Sequence, residues 1–190
     1  MDILSGKKEE RLVRRLRSGD KRALRDLYTS YADYLSGVCS RYMDNTDEVK
    51  DVLQDCFIKI LENLERFEYR GPGSLRAWMT RIVSNESLKY LRQRKKDSLV
   101  TLDWDIPDEE EVEDPPLEDI PAEALQEMIK SLPTTYRTVF NLYVIEGKSH
   151  IEIARLLGIK PDTSASNLHR AKNKLAGMIK DYITSREEPR

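Results

Sequence analysis

The side chains in this chain that are best suited to chemistry are ligands for nucleic acid. A helical pattern after the Gly71–Gly73 turn interleaves Trp78 with Arg76 and Arg81, and a basic run at 92–96 follows it. Aromatic rings beside cations suit single-stranded nucleic acid, because bases stack on the rings while cations meet the phosphates. A tryptophan at this spacing is more often a core residue, so Trp78 is either packed inside, exposed as a stacking platform, or half-buried and both.

Two further aromatic residues precede the same turn. Phe67 and Tyr69 can form, with the turn, the edge of a pocket for an unstacked base. Phe67 can equally continue the apolar stripe that ends at Leu64. Candidate single-strand contacts over this region are Phe67, Tyr69, Arg76, Trp78, Arg81, Asn85, Lys89 and Arg92.

A second set of polar side chains follows a helix-turn-helix signature. Residues 149–152 form a capping-box pattern that starts a helix, Gly158 ends it, and the next helix begins around Asp162 or Thr163. The second helix is expected to present phosphate and base-edge contacts to a major groove. These are Thr163, Ser166, His169, Arg170, Asn173 and Lys174. The alternative to a DNA-binding motif is an ordinary helical hairpin whose charged residues only face solvent.

A third surface lies on the helix before the aromatic turn. Apolar residues recur at helical spacing from Val49 to Leu64, including Leu61. The opposite side carries Asp51, Gln54, Asp55 and Ile58 rather than mixed lysine and glutamate. Two carboxylates, an amide and an exposed isoleucine indicate a docking surface for a protein partner, and ordinary helix polarity is the alternative.

Charge along the chain separates the elements that must position these groups. The net charge is +5 over residues 1–100, −11 over 101–125 and +4 over 126–190. We predict an all-α fold with two small helical domains, an N-terminal bundle over 1–97 and a helix-turn-helix domain over 122–184. An acidic, proline-containing, flexible linker over 98–121 joins them, and 185–190 is predicted to be a frayed tail. In the bundle, one face of the second helix, which includes Leu24 and Tyr28, should pack inward.

Several classes of function have little support in the composition. Cys39 and Cys56 both fall on apolar stripes and are expected to be buried, reduced thiols. No phosphate-cradling glycine loop, metal-ligand cluster or nucleophile beside a base is present, so neither an enzyme, a cofactor nor a bound metal is expected. No apolar run is long enough to span a bilayer, and no secretory signal begins the chain, so we expect a cytoplasmic protein without membrane insertion.

Four segments in a fixed order carry a family resemblance, over roughly residues 10 to 183. The segments 51–57, 75–85, 132–137 and 146–154 resemble the extracytoplasmic-function (ECF) subfamily of the sigma-70 family of RNA polymerase sigma factors. The resemblance implies that the first domain binds the clamp helices of the largest subunit of core RNA polymerase. It also implies that this domain melts the minus-10 promoter element and captures the non-template strand, while the second reads the minus-35 element as duplex.

The resemblance assigns roles to the three candidate surfaces. Asp51, Gln54 and Asp55 match the polymerase-docking helix. The single-strand site of the family is matched by Phe67, Tyr69, Trp78, Arg81 and Asn85, and its recognition helix by Ser166, Arg170 and Lys174. The acidic linker resembles a connector that threads through polymerase near the RNA exit path. An anti-sigma protein that covers the docking face is a further partner implied by the family.

This sequence departs from the family pattern at two places. Lys89 stands where the family commonly has an acidic residue, which alters a salt bridge or adds a phosphate contact. Ser164 and Ala165 stand where an apolar and a basic residue usually begin the recognition helix. The promoter preferences of the family therefore do not transfer to this chain.

The resulting hypothesis is an initiation factor that binds core polymerase, recognises promoter DNA and promotes strand opening. The alternative is a free-standing helix-turn-helix regulator whose N-terminal domain senses a signal or dimerises. The basic and aromatic face of the N-terminal domain favours the first hypothesis, because a sensor or dimerisation domain has no need of it.

Overall fold

The computed structural model describes residues 6–97 and 120–187, and every regular element within those ranges is a helix. The predicted all-α class is therefore confirmed. The chain divides into two compact units, the first ending at Gln93 and the second beginning at Arg94. Most of the predicted linker lies outside the described residues.

From residue 6 onward, the first unit is built from four α-helices. They are α1 (Gly6–Arg17), α2 (Lys21–Cys39), α3 (Thr46–Glu62) and α4 (Ser74–Asp97), with a short 3-10 turn at Leu64–Arg66 before the loop that leads to α4. Local chemistry sets the predicted breaks. The Asp20 carboxylate accepts the Arg22 N–H at 2.8 Å, and the Asn45 side chain accepts the Asp47 N–H at 2.8 Å, so each caps a helix start.

The interior of the first unit is formed by one face of each helix. Its buried residues include Leu12 on α1, Leu27 and Tyr31 on α2, Ile60 on α3, and Met79 on α4. A buried apolar face on each helix is what turns four amphipathic helices into a bundle.

The apolar stripes of α2 and α3 are wider than the part of each helix that neighbouring helices cover. Leu24, Tyr28 and Leu61 were expected inside, but they are 42%, 56% and 39% exposed. A helix in a bundle buries an arc of roughly 100°, so residues at the margins of a wider stripe remain outside. This correction enlarges the apolar surface of the first unit.

The two cysteines lie together in this core. Cys39 and Cys56 are fully buried, their thiols are hydrogen-bonded to each other, and the Ser87 hydroxyl lies 3.8 Å from the Cys39 Sγ. The hydrogen bond with Cys39 and burial raise the pKa of the Cys56 thiol well above its usual range. Both cysteines are buried and form no disulfide, as predicted.

The described part of the second unit, residues 120–187, also has four α-helices. They are α5 (Ala122–Ser131), α6 (Thr134–Phe140), α7 (His150–Leu157) and α8 (Pro161–Glu187), with a π-helical turn at Asn141–Ile145 after α6. Leu132, Tyr136, Ala171 and Leu175 form a buried cluster on which Met128 and Phe140 pack. Helix α8 continues to Glu187, three residues into the segment that the sequence predicts to be a frayed tail.

A buried arginine ties two of these helices together. Arg137 on α6 is 1% exposed, and its guanidinium donates to the Lys130 carbonyl near the end of α5. A cation at the C-terminal end of a helix offsets the partial negative charge of the free carbonyls there. Arg137 thus fixes the corner between α5 and α6.

Candidate nucleic-acid and partner interfaces

The predicted docking face is exposed on α3. Asp51, Gln54, Asp55 and Ile58 all face away from the core, and Ile58 is 56% exposed. The side chains of all four residues are exposed to solvent within the described first unit, so Ile58 is not covered by another helix there. An exposed branched apolar side chain between carboxylates is typical of a surface that another protein covers.

The apolar part of this face extends across α2. The ring centroids of Tyr28 and Phe57 lie 5.0 Å apart, which joins the exposed margins of α2 and α3. Leu24 and Leu61 lie one helical turn from these rings on their respective helices and are also exposed. The sequence predicts that these residues lie in the core. The two apolar stripes are wider than the face that a bundle helix buries, and this width was the sequence signal for their exposure.

A cleft of about 650 Å³ opens where the loop after α3 meets the start of α4. It is lined by Arg66, Phe67, Glu68, Arg70, Ser74, Ala77, Trp78 and Arg81. One indole plane among three guanidinium groups combines a stacking surface with phosphate partners. The cleft is large enough for a nucleobase, and its residues include three of the predicted single-strand contacts.

The aromatic residues around this cleft have different roles. Phe67 is 4% exposed and packs against Trp78 with ring centroids 4.9 Å apart, so it belongs to the apolar stripe and supports the indole from behind. Trp78 is half-buried, so it is partly a core residue and partly exposed as a possible stacking surface, the third of the options given for it above. Tyr69 is partly buried and its hydroxyl donates to the Gly6 carbonyl at 2.8 Å, which ties the loop to α1.

The remaining predicted single-strand contacts follow one side of α4. Arg81, Asn85, Lys89 and Arg92 are exposed at helical spacing and continue along the helix from the cleft. Arg76 is partly buried, with its guanidinium 5.5 Å from the centroid of the Tyr34 ring. The structure therefore brings cleft and stripe together as one basic, aromatic surface. Arg76 is not part of it, because residues two positions apart on a helix face nearly opposite sides and Arg76 lies over Tyr34 of α2 rather than beside Trp78.

Glu9 on α1 positions the start of α4. Its carboxylate is 1% exposed and accepts the backbone N–H groups of Gly73 at 2.7 Å, Leu75 at 3.0 Å and Arg76 at 3.3 Å. Free N–H groups at a helix start need acceptors, and here a residue more than sixty positions away supplies them. Sequence reasoning missed Glu9, because local capping patterns do not reveal an acceptor so far along the chain.

The helix-turn-helix has the predicted local chemistry. The Ser149 hydroxyl accepts the Glu152 N–H at 3.3 Å, and the Glu152 carboxylate accepts the Ser149 N–H at 2.8 Å, so the capping box is confirmed. Hydrogen bonds from the Ser149 backbone and hydroxyl lower the pKa of Glu152. Gly158 has a φ of 68°, the left-handed conformation that ends α7, and α8 begins at Pro161.

We expect Ser149→Ala to loosen α7 specifically. Loss of the cap costs about 1 kcal/mol, so backbone amides of α7 should exchange with solvent deuterium about fivefold faster. Hydrogen exchange followed by mass spectrometry on the full chain measures this, and Ser149→Thr, which keeps a hydroxyl, is the matched control. Equal α7 exchange in Ser149→Ala and in the unchanged protein would mean that the capping box does not stabilise the helix.

On α8, the recognition helix, fewer of the predicted DNA contacts are exposed than the sequence indicates. Ser166 and His169 are exposed, and Thr163 and Lys174 are partly exposed. Arg170 and Asn173 are each only 8% exposed, so the prediction that they face outward is wrong. Helices α6 and α7 both pack on α8, which buries a wider arc than one contact would. Ala165 and Lys172 are exposed instead.

Two aromatic rings support the turn from the side of α7. His150 stacks on Tyr143 with ring centroids 4.6 Å apart, and its Nδ1 lies 3.0 Å from the hydroxyl of Ser164, which is fully buried. The serine that replaces the apolar residue usual in the family is therefore accommodated by a histidine partner. Tyr143, Val144, Ile145 and Ile151 are exposed nearby, on the π-helical turn and the start of α7.

Residues 6–97 and 120–187, the part of the chain that the structure describes, contain neither a candidate metal cluster nor a candidate membrane-spanning helix. Within them no cluster of three or more histidine, cysteine or carboxylate side chains is placed to hold a metal ion. None of the helices described is both long and apolar enough to cross a membrane.

Comparison with known families and proteins gives the class of this chain. Residues 27–97 match the family model for Sigma-70 region 2, and residues 122–175 match that for Sigma-70, region 4. The first match covers α3, the cleft and α4, and the second covers α5 through much of α8. The chain belongs to the sigma-70 family of RNA polymerase sigma factors.

Similar curated proteins place it in the ECF subfamily. It is 30% identical to the RNA polymerase sigma-H factor of Pseudomonas aeruginosa, with 90% of this chain and 93% of that protein covered. It is 30% identical to the ECF RNA polymerase sigma-E factor of Escherichia coli, covering 90% and 94% respectively. It is 28% identical to the ECF RNA polymerase sigma factor SigW of Bacillus subtilis, covering 89% and 95%.

One solved structure similar to this chain is the sigma factor RpoE in complex with the anti-sigma factor NepR from Bartonella quintana. Its sequence identity is 21% and its TM-score 0.47, with 82% of this chain and 96% of that one covered. The curated relatives named above are all polymerase sigma factors, so the free-standing regulator is not favoured.

Proposed function

We propose that this chain is an alternative sigma factor that brings core RNA polymerase to its promoters and helps to open them. The observation that carries the proposal is the presence, in one chain, of three separate surfaces: a docking face on α3, a basic aromatic cleft at α4, and the exposed side of α8. A duplex-binding regulator needs only the last of these. An initiation factor needs all three, and acts in the cytoplasm where polymerase and promoter DNA meet.

The docking face is assigned to the clamp helices of the largest polymerase subunit. Asp51 and Asp55 supply negative charge for a basic partner helix, while Gln54 adds an amide hydrogen bond. Ile58, with Tyr28 and Leu24 exposed on α2, supplies the apolar area that gives such an interface its affinity. The assignment of these residues rests on their exposure and on the family resemblance.

The cleft and the exposed side of α4 are assigned to the non-template strand of the minus-10 element. Trp78 offers a stacking surface, Arg81 and Lys89 meet phosphates, and Asn85 can hydrogen-bond a base edge. Each stacked base contributes roughly 1–3 kcal/mol, against a mean of about 1.4 kcal/mol for each base-pair step lost. Capture of a few bases therefore offsets melting without a covalent reaction, so the factor needs neither an enzymatic activity nor a cofactor.

The second unit is assigned to the minus-35 element. Ser166 and His169 are the exposed contacts on α8, with Thr163 and Lys174 at its edges. Buried Arg170 and Asn173 act on DNA only through the packing of α8, not by direct contact. We propose domain boundaries at 97 and 122, and a role for the acidic segment between them as the connector that lies near the RNA exit path.

A protein inhibitor is the second partner that we propose. Leu24, Tyr28, Ile58 and Leu61 remain exposed on the docking face, and an anti-sigma protein that covers them would exclude polymerase. Because one surface would serve both partners, inhibitor and polymerase should compete for it.

Replacement of Trp78 tests the single-strand assignment. In Trp78→Ala, we expect roughly tenfold fewer open complexes, because a stacking surface worth 1–3 kcal/mol is lost. Permanganate reactivity of promoter thymines measures opening by reconstituted polymerase, and Trp78→Phe is the matched control that keeps a ring. Protection of the minus-35 duplex should persist in both variants. Unchanged thymine reactivity in Trp78→Ala would contradict the assignment.

A further inference from the structure

Helix α1 carries a positive surface that none of the roles above uses. It has six basic residues and two acidic ones, and of the acidic pair Glu9 faces inward to the start of α4. Three of the cations are engaged within the unit: Arg14 with Glu10, Arg15 with Asp20 and Asp26, and Arg17 with the Leu64 and Phe67 carbonyls. Lys7, Lys8 and Arg11 are exposed, and no carboxylate of the described ranges lies within ion-pair distance of them.

Two shallow clefts adjoin Arg11. One, of about 610 Å³, runs along α1 beside Lys7 and Arg14. The other, of about 450 Å³, lies between α1 and α2 and includes Lys8 together with the hydroxyl-bearing Thr29 and Ser30. Each cleft has one acidic residue, and both are already paired: Glu10 of the first lies 3.3 Å from Arg14, and Asp26 of the second lies 2.6 Å from Arg15. Both clefts therefore keep a local positive potential that favours an anion.

This surface is fixed to the single-strand cleft. The carbonyl of Gly6, the residue before Lys7, accepts the Tyr69 hydroxyl at 2.8 Å, and a Cβ at Gly6 would lie 2.5 Å from the Pro72 ring. Three residues after Gly6, the Glu9 carboxylate accepts the backbone N–H groups of Gly73 and Leu75. The first turn of α1 thus packs directly on the loop that forms the edge of the cleft, and Lys7 and Lys8 lie in the chain between Gly6 and Glu9, the two residues that make these contacts.

We propose that Lys7, Lys8 and Arg11 form a third nucleic-acid contact, which binds phosphates of promoter DNA adjoining the segment held at Trp78. The proposal rests on the proposed function. From Lys7 to Arg11 the helix rises about 6 Å, over which one DNA strand carries about two phosphates. The surface offers cations without bidentate base partners, so it adds affinity and holds the strand without reading sequence.

The salt dependence of promoter binding tests this contact. Polymerase reconstituted with the full chain is titrated, over about 50 to 200 mM KCl, with a promoter fragment on which the unchanged protein forms open complexes. For Lys7→Gln/Lys8→Gln/Arg11→Gln, we expect the slope of log affinity against log salt to fall by about 2, and affinity at the lowest salt to fall about tenfold.

Two variants control for charge and for folding. Lys50→Gln/Lys130→Gln/Lys180→Gln removes the same charge elsewhere and should keep the full slope. Lys7→Arg/Lys8→Arg/Arg11→Lys keeps the charge on α1 and should also keep it. An unchanged slope in the α1 triple variant, with polymerase still bound, overturns this inference alone. Loss of polymerase binding by the α1 triple variant, rather than a reduced slope, also overturns this inference, because α1 would then contact polymerase and not DNA. Failure of the unchanged protein to open any promoter would overturn the proposed function.

Discussion

Asp51→Lys/Asp55→Lys is expected to weaken binding of core polymerase at least about 100-fold while the helices remain folded. Both side chains are exposed in the middle of α3, where lysine has a better helix propensity than aspartate. Two charge reversals opposite a basic helix replace attraction with repulsion, and a charge pair near a protein surface is worth about 4 kcal/mol before solvent screening. Fluorescence anisotropy of the labelled protein, titrated with core polymerase, measures the change.

The control for this prediction reverses the same amount of charge elsewhere. Asp33 and Asp181 are exposed on α2 and α8, so Asp33→Lys/Asp181→Lys should bind polymerase normally and should match the docking variant in helix content by circular dichroism. If the α3 variant binds as tightly as this control, the docking surface lies somewhere other than the exposed face of α3.

Glu9→Ala is expected to destabilise the first unit by about 3 kcal/mol. The change removes a buried carboxylate and leaves three backbone N–H groups at the start of α4 without their acceptor, each a loss of the order of 1 kcal/mol or more. In a Trp104→Phe background Trp78 is the single tryptophan, so its fluorescence reports denaturant unfolding of this unit alone. Single-strand capture should fall as well, since the cleft adjoins this turn.

Glu10→Ala is the matched control for Glu9. Glu10 is the next residue on α1, and its carboxylate pairs with Arg14 at 3.3 Å on the surface. An exposed ion pair one turn apart contributes about 0.5 kcal/mol or less, so this variant should unfold almost as the unchanged protein does. Similar unfolding free energies for the two variants would contradict the capping role of Glu9.

The helices were predictable from the sequence because their signals are local. Asp20, Asn45 and the Ser149–Glu152 box cap the helices that they precede, and Gly158 ends α7 as its position predicts. The exposure of Asp51, Asp55 and Ile58 was also predictable, since it follows from which side of α3 is apolar. These inferences need only the period of a helix and the chemistry of its ends.

Features that depend on contacts between distant parts of the chain were not predictable. Glu9 binds the start of α4 from another helix, and no spacing within the sequence relates the two. Arg170 and Asn173 are polar residues on a helix that two neighbours cover, so polarity alone gave the wrong orientation. Leu24 and Leu61 show the opposite error, since they were predicted to be buried but are exposed. An apolar stripe predicts burial only for the residues that a neighbouring helix covers.

The most direct test of the central claim is transcription in vitro from fragmented genomic DNA of the source organism, with core polymerase alone and with this protein added, followed by sequencing of the RNA 5′ ends. We predict new start sites that share two upstream elements, one at minus 10 and one at minus 35. These sites should disappear with Asp51→Lys/Asp55→Lys and persist with Asp33→Lys/Asp181→Lys. An unchanged set of start sites, together with duplex binding by the protein alone, would contradict the account and identify a regulator that acts without polymerase.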